Sequence, residues 1–261
     1  MTATSELGTS DLRTIARRAL VCLDLTNLDD ACDADAIDVL CGRAQTRHGS
    51  VAAVCVWPRF VAQARAKLAH TGVHVATVVN FPTGEEPIEA VVTATKAALA
   101  DGADEIDMVV PWKRFMAGDE AAVTEAVRAV KAACGAAPLK AILETGEIGD
   151  EALIGVAAMR ALDGGADFLK TSTGKVPVNA TPRAAEILLD AIARSDAPAG
   201  FKAAGGVRTV AEAGVYLALA DRIMGPGWAG PKHFRIGASS LLDALLAALE
   251  GEDVDEEEDG Y

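Results

Sequence analysis

Short apolar runs alternate with longer, alanine-rich amphipathic stretches from one end of the 261-residue chain to the other. Runs of Val, Ile and Leu without polar alternation predict strands buried on both faces, here at 21–25, 51–56, 74–79, 105–110, 139–143, 168–171, 200–203 and 234–236. The stretches between them repeat their apolar residues at helical spacing and predict helices at 33–44, 59–68, 88–99, 120–134, 151–162, 184–192, 210–219 and 240–249. A leading helix is expected within residues 1–19, on the periodicity that begins at Asp11. Parallel strands need a crossover between them, so strand–helix alternation implies a parallel sheet. Eight units in a chain of this length point to an α/β fold closed into a (β/α)8 TIM barrel rather than an open doubly wound sheet. No linker interrupts the pattern. Residues 1–250 therefore read as one barrel domain, and 251–261 as an acidic, mobile tail ending in Tyr261.

Charge appears where buried strands should have none. Lys170 ends the run Ala166-Asp167-Phe168-Leu169-Lys170, bounded by Gly164-Gly165 and Gly174. Desolvating an ammonium is costly, so a lysine here either snorkels from the strand end or loses its proton and becomes a nucleophile able to form a Schiff base. A second segment shares its frame: Gly102-Ala103-Asp104-Glu105-Ile106-Asp107 matches Gly165-Ala166-Asp167-Phe168-Leu169-Lys170, each after an alanine-rich helix. Lys202 closes a third run before Gly205-Gly206. In a barrel, active sites gather at the carboxyl ends of the strands and alternate strands fill one interior layer. Asp107 on strand four and Lys170 on strand six are thus expected in one mouth, with Lys202 beside Lys170. Two neighbouring ammonium groups would force one to titrate low. Glu105 and Lys140 read as a buried structural ion pair.

Composition narrows the classes. Hydrophobic residues make up 51% of the chain and aromatics 4%, so the core is aliphatic. No apolar run reaches the roughly 18 residues needed to span a bilayer, and no signal-peptide layout is evident. Cys22, Cys32, Cys41, Cys55 and Cys134 form no CxxC pair and are odd in number, which suggests a reducing, cytoplasmic setting. A net charge of −14 argues against a nucleic-acid partner. Part of that charge is local, with eight acids and no base from Glu250 to Asp259.

Glycine-rich turns follow the last strands: Gly205-Gly206 after strand seven, and Gly237-Ala238-Ser239-Ser240 before the final helix. Backbone N–H groups at helix starts bind phosphate, commonly after strands seven and eight of such barrels. Gly174-Lys175 adds a third edge and a cation. Gly225-Pro226-Gly227-Trp228-Ala229-Gly230 fits the dinucleotide fingerprint literally, but it precedes a strand and reads as a loop. His48, His70, His74 and His233 lack metal-ligand spacing, and Cys55 reads as a small buried residue.

Together these segments resemble the deoxyribose-phosphate aldolase family, class I Schiff-base enzymes that need no metal. The likeness spans almost the whole chain, through Leu23-Asp24-Leu25-Thr26, Val54-Cys55-Val56-Trp57-Pro58-Arg59-Phe60, Val79-Asn80-Phe81-Pro82, Leu143-Glu144-Thr145-Gly146-Glu147 and Arg235-Ile236-Gly237-Ala238-Ser239-Ser240. Its most specific stretch is Phe168-Leu169-Lys170-Thr171-Ser172-Thr173-Gly174-Lys175. The resemblance implies Lys170 as the Schiff-base lysine and Asp107 with Lys202 as the proton relay. It implies Asp24, Thr26 and Thr171 near the sugar, and Gly174, Lys175, Gly205, Gly206, Gly237, Ser239 and Ser240 around its phosphate. It further implies no cofactor, a small sugar-phosphate substrate and a homodimer. Another class I aldolase, or a sugar-phosphate-binding regulator, would share the turns. The regulator would not need Asp107, Lys170 and Lys202 together.

The terminal Tyr261 resembles the catalytic carboxyl-terminal tyrosine of part of that family, although an acidic run precedes it. If it serves proton transfer at C2 of the enamine, deleting Tyr261 alone is expected to lower kcat and proton exchange into acetaldehyde with KM nearly unchanged. Added salt should favour docking of the intact tail by screening its repulsion from a phosphorylated substrate. A truncated enzyme with normal turnover and exchange would leave the tail a solubility device.

Overall fold

The computed structural model describes residues 9–251, so the acidic run from Glu252 and Tyr261 lie outside the described residues. Eight parallel strands close into a barrel: β1 (Leu23–Asn27), β2 (Ala53–Val56), β3 (His74–Val79), β4 (Glu105–Val109), β5 (Leu139–Ile142), β6 (Phe168–Lys170), β7 (Gly200–Ala204) and β8 (Phe234–Ala238). β8 pairs back onto β1, with Leu23 opposite Ile236. Helices form the outer ring: α1 (Thr9–Val21), α2 (Ala34–Arg43), α3 (Val61–Lys67), α4 (Ile88–Ala100), α5 (Trp112–Met116), α6 (Ala121–Cys134), α7 (Thr145–Ile148), α8 (Glu151–Asp163), α9 (Pro182–Arg194), α10 (Val210–Met224) and α11 (Leu241–Glu250). No described helix is long and apolar enough to cross a membrane.

Local chemistry starts these helices where the sequence marks them. Asp33, Asp150 and Thr181 accept the N–H of the residue three places on, and Thr209 with Glu212 makes a reciprocal capping box. Pro182 adds a preset φ at the first position of α9. Inside α9, Leu188, Leu189 and Ile192 are buried, each contributing about 1.5–3 kcal/mol by leaving water.

Side-chain alternation along the strands separates two interiors. Outward residues such as Val54, Val56, Ile106, Leu169, Phe201 and Phe234 join the large aliphatic core under the helices. Inward residues on one side of the barrel, Ala53, Cys55, Ala76 and Val78, make a small apolar cluster with Leu28. The other side of the lumen holds the buried charges.

The repeated Gly-Ala-Asp segment has a structural cause. Gly102 and Gly165 both adopt positive φ as the chain leaves a helix. The aspartate two residues on then braces the preceding strand: Asp104 accepts Val75 N–H at 2.8 Å, and Asp167 accepts Leu139 N–H at 2.7 Å.

Several boundaries differ from the sequence pattern. Val21 ends α1 instead of opening β1, whose register against β2 carries on through Thr26 and Asn27. β8 extends to Ala238 because Gly237 and Ala238 pair with Asp24 and Leu25. The 59–68 stretch divides into a 3-10 turn at Pro58–Phe60 and α3. α5, α7 and the two-residue ribbon of Gln45–Thr46 with Gly49–Ser50 are too short to show periodicity. The Gly225–Gly230 segment is the turn between α10 and β8.

Candidate active site

Seven charged side chains of the described residues meet in the lumen: Asp24 from β1, Glu105 and Asp107 from β4, Lys140 from β5, Lys170 from β6, Lys202 from β7 and Arg235 from β8. Pleat and register aim them inward, with Asp107 opposite Lys140, and Lys170 opposite Lys202. Asp107 is the hub. Its Oδ2 lies 2.7 Å from Lys170 Nζ and 2.8 Å from Lys202 Nζ, and its Oδ1 lies 2.7 Å from Lys140 Nζ. Lys202 also reaches Asp24 at 2.5 Å, and Lys140 reaches Glu105 at 2.6 Å. Arg235 joins Asp24 to Glu105, at 2.7 Å from each. The half-exposed His74 extends the chain of contacts, its Nδ1 lying 3.0 Å from Glu105.

Among the described residues, three carboxylates against four bases leave one positive charge too many in this buried lumen. Lys140, Lys202 and Arg235 each contact at least two carboxylates, whereas Lys170 has one and shares its oxygen with Lys202. Lys170 is therefore the base least able to keep its proton. Burial holds its pKa below the ordinary lysine value; Asp107 opposes that, and the Lys202 charge adds to it. The lowering is thus led by desolvation, with ammonium repulsion as a lesser contribution. Burial also pulls on Lys202, but Asp107 and Asp24 more than offset it and its pKa is raised. Asp107 is driven well below the usual range, its three ammonium partners outweighing its own desolvation.

Above Lys170 opens a cavity of about 820 Å³. Thr26, Gly174, Lys175, Gly205, Gly206, Gly237, Ser239 and Ser240 line it. Asp107 and Lys202 lie beneath that surface, as does Asp24, which is held by Lys202 and Arg235. Thr171 is also absent from the lining; its hydroxyl accepts Ala204 N–H at 3.1 Å and knits β6 to β7. Gly237 needs its missing side chain, since a Cβ would stand 2.9 Å from Lys202 Cε. The Lys175 ammonium lies 3.7 Å from the Asp30 carboxylate.

Sequence reasoning missed several groups. Thr173, Asn179 and Arg208 also line the cavity. Arg235 is a charge inside an apolar run, the same signal that marked Lys170. The Glu105–Lys140 pair is present, but its contact with Asp107 makes it part of the site. Glu144, buried just past β5, had only its place at a strand end to mark it.

The chain matches the family model described as DeoC/LacD family aldolase over residues 18–247. It is 54% identical over 253 residues to the deoxyribose-phosphate aldolase of Agrobacterium fabrum, covering 95% of this chain and 97% of that protein. A solved chain from Toxoplasma gondii ME49, assigned as a deoxyribose-phosphate aldolase, superposes with a TM-score of 0.86 at 27% identity, over 95% of this chain and 98% of that one. One from Coccidioides immitis with the same assignment gives 0.79 at 29% identity, over 89% and 85%.

The charge count has opposite consequences for two substitutions. Lys202→Met leaves three acids facing three bases, so Lys170 should hold its proton to higher pH. Asp107→Asn removes its only carboxylate partner among the described residues, and Lys170 should release its proton at lower pH. Reactivity of Lys170 toward an amine-directed acylating reagent, followed against pH by peptide mass spectrometry, reads both. Shifts in the same direction would overturn the count.

Proposed function

The chain belongs to the DeoC/LacD aldolase family, and we propose that it catalyses the reversible cleavage of 2-deoxy-D-ribose 5-phosphate to acetaldehyde and D-glyceraldehyde 3-phosphate through a Schiff base on Lys170. The observation that carries this reading is a lysine with a lowered pKa and one carboxylate partner, facing a cavity edged by glycine and serine turns. The named activity of the Agrobacterium fabrum relative supports the choice of substrate.

Neutral Lys170 adds to C1 of the open-chain aldehyde, and loss of water leaves an iminium. A base takes the proton of the C3 hydroxyl, the C2–C3 bond breaks, and its electron pair neutralises the iminium to give an enamine. Glyceraldehyde 3-phosphate departs. Protonation of the enamine at C2 restores the iminium, and hydrolysis frees acetaldehyde and the lysine. The iminium draws the electrons a Lewis-acidic metal would otherwise attract. Asp107 Oδ2, shared by Lys170 and Lys202, offers the shortest route for protons between the two amines. The turns at Gly205-Gly206 and Ser239-Ser240 supply N–H groups and hydroxyls to the phosphate, and Lys175 a cation. Such an enzyme would serve breakdown of deoxyribose phosphates in the cytoplasm.

Borohydride with acetaldehyde should place one ethyl group on Lys170, and Lys170→Ala should abolish labelling and turnover. Label confined to Lys202 would sink the assignment. Activity with acetaldehyde as sole donor separates this reading from other class I aldolases.

Ser239→Glu sets a like charge at the anion site. It is expected to raise KM for deoxyribose 5-phosphate by roughly tenfold or more, a loss of about 1.4 kcal/mol, and to change KM for unphosphorylated deoxyribose much less. Equal effects on both substrates would place the phosphate elsewhere.

A further inference from the structure

Glu144 is the buried acid that the charge network and the proposed chemistry leave unused. It follows β5 in the left-handed region, φ 58° and ψ 55°, a conformation unfavourable for a side chain of its size. Such strain persists only where the surroundings impose it. Here the backbone is pinned on both sides, since Leu143 N–H donates to Lys170 O and Thr145 N–H to Thr171 O, each at 3.0 Å. That twist turns the carboxyl under the loop that follows Lys170, where Glu144 Oε1 accepts the Thr173 N–H at 3.1 Å. The other oxygen finds no hydrogen-bond donor among the described residues. Burial raises the pKa of the carboxyl; the bonds from Thr173 oppose this first, and the Lys170 charge more weakly.

A second contact bears on the same loop. Gly146, two residues on, lies against its far end, where a Cβ would fall 1.9 Å from Val178 O. The loop is thus supported at Thr173 and at Val178 by one short turn. Between those points it presents Thr173, Gly174 and Lys175 to the cavity, and Asn179 follows directly. Thr173 hands the support onward, its hydroxyl accepting the Lys175 N–H at 3.0 Å.

We propose that Glu144 is a positioning residue for the anion end of the site: its carboxylate sets the Thr173–Lys175 turn, and with it the grip on a phosphorylated substrate. The proposal rests on the reading of that end as a phosphate site. Glu144 does not line the cavity and touches no reacting atom, so its influence passes through Thr173.

The test compares KM and kcat for deoxyribose 5-phosphate and for unphosphorylated deoxyribose in four proteins: wild type, Glu144→Gln, Glu144→Asp and Glu144→Ala. Gln keeps an acceptor at the right reach, whereas Asp falls short of Thr173 and Ala offers none. Asp and Ala are expected to raise KM for the phosphorylated substrate about tenfold, with kcat within a few-fold and little change for the unphosphorylated one. Gln should restore most of the loss. If Glu144→Ala does not fold, the Gln and Asp pair carries the comparison, with amide exchange at Thr173 expected to quicken in Asp and stay slow in Gln. Equal losses on both substrates, or a Gln variant no better than Asp, would overturn the proposal. A wild-type enzyme indifferent to the phosphate would instead remove the phosphate site on which it rests.

Discussion

Buried charges that must cancel one another constrain everything at the centre of this barrel. Removing one partner of a buried ion pair leaves the other uncompensated, at a cost of about 3–5 kcal/mol. Asp107 has three such partners, so its position is over-determined by Lys140, Lys170 and Lys202 together. The strand register that brings these side chains to one level is therefore held by electrostatics from within and by aliphatic packing from without. The surplus base is what distinguishes this network from a balanced set of ion pairs, and it falls on Lys170.

The mouth is built by different means. Its walls include tight turns with positive-φ glycines at 174, 205 and 206. At Gly205 a Cβ would approach Asn179 Cβ to 2.7 Å, so the loops after β6 and β7 touch directly. They are supported by the turn after β5 and by the hydroxyl of Thr171, which joins β6 to β7. The charged floor and the glycine- and serine-edged rim thus meet along the stretch from Lys170 to Lys175.

The barrel was legible because periodicity is repeated eight times, and errors at single ends do not disturb the count. Lys170, Asp107 and Lys202 were legible because charge inside an apolar run is physically anomalous. The same anomaly was present at Arg235 and Lys140 but was passed over as motif or structural pairing. Glu144 could not be read in this way, since its meaning lies in a backbone twist and in a contact with Thr173 beyond the neighbouring strand's end. Burial as the leading cause of the lowered Lys170 pKa was legible, by contrast, because a lysine closing an apolar strand must be desolvated. The partners of Asp24 were not legible, since its bonds to Lys202 and Arg235 depend on strands far apart in sequence.

The saturated ionic lumen also restricts how such a protein can be made more heat-resistant. Exchanging a buried ion pair for well-packed apolar side chains often raises stability in other proteins. Here any such exchange would alter the charge count around Lys170, so added robustness would come with a changed protonation state of that lysine. Tolerant positions lie in the outer layer instead, on helix surfaces and in loops on the face away from the mouth. A lineage evolving in hot surroundings would be expected to accumulate its changes there, keeping the seven inner groups as one inherited block.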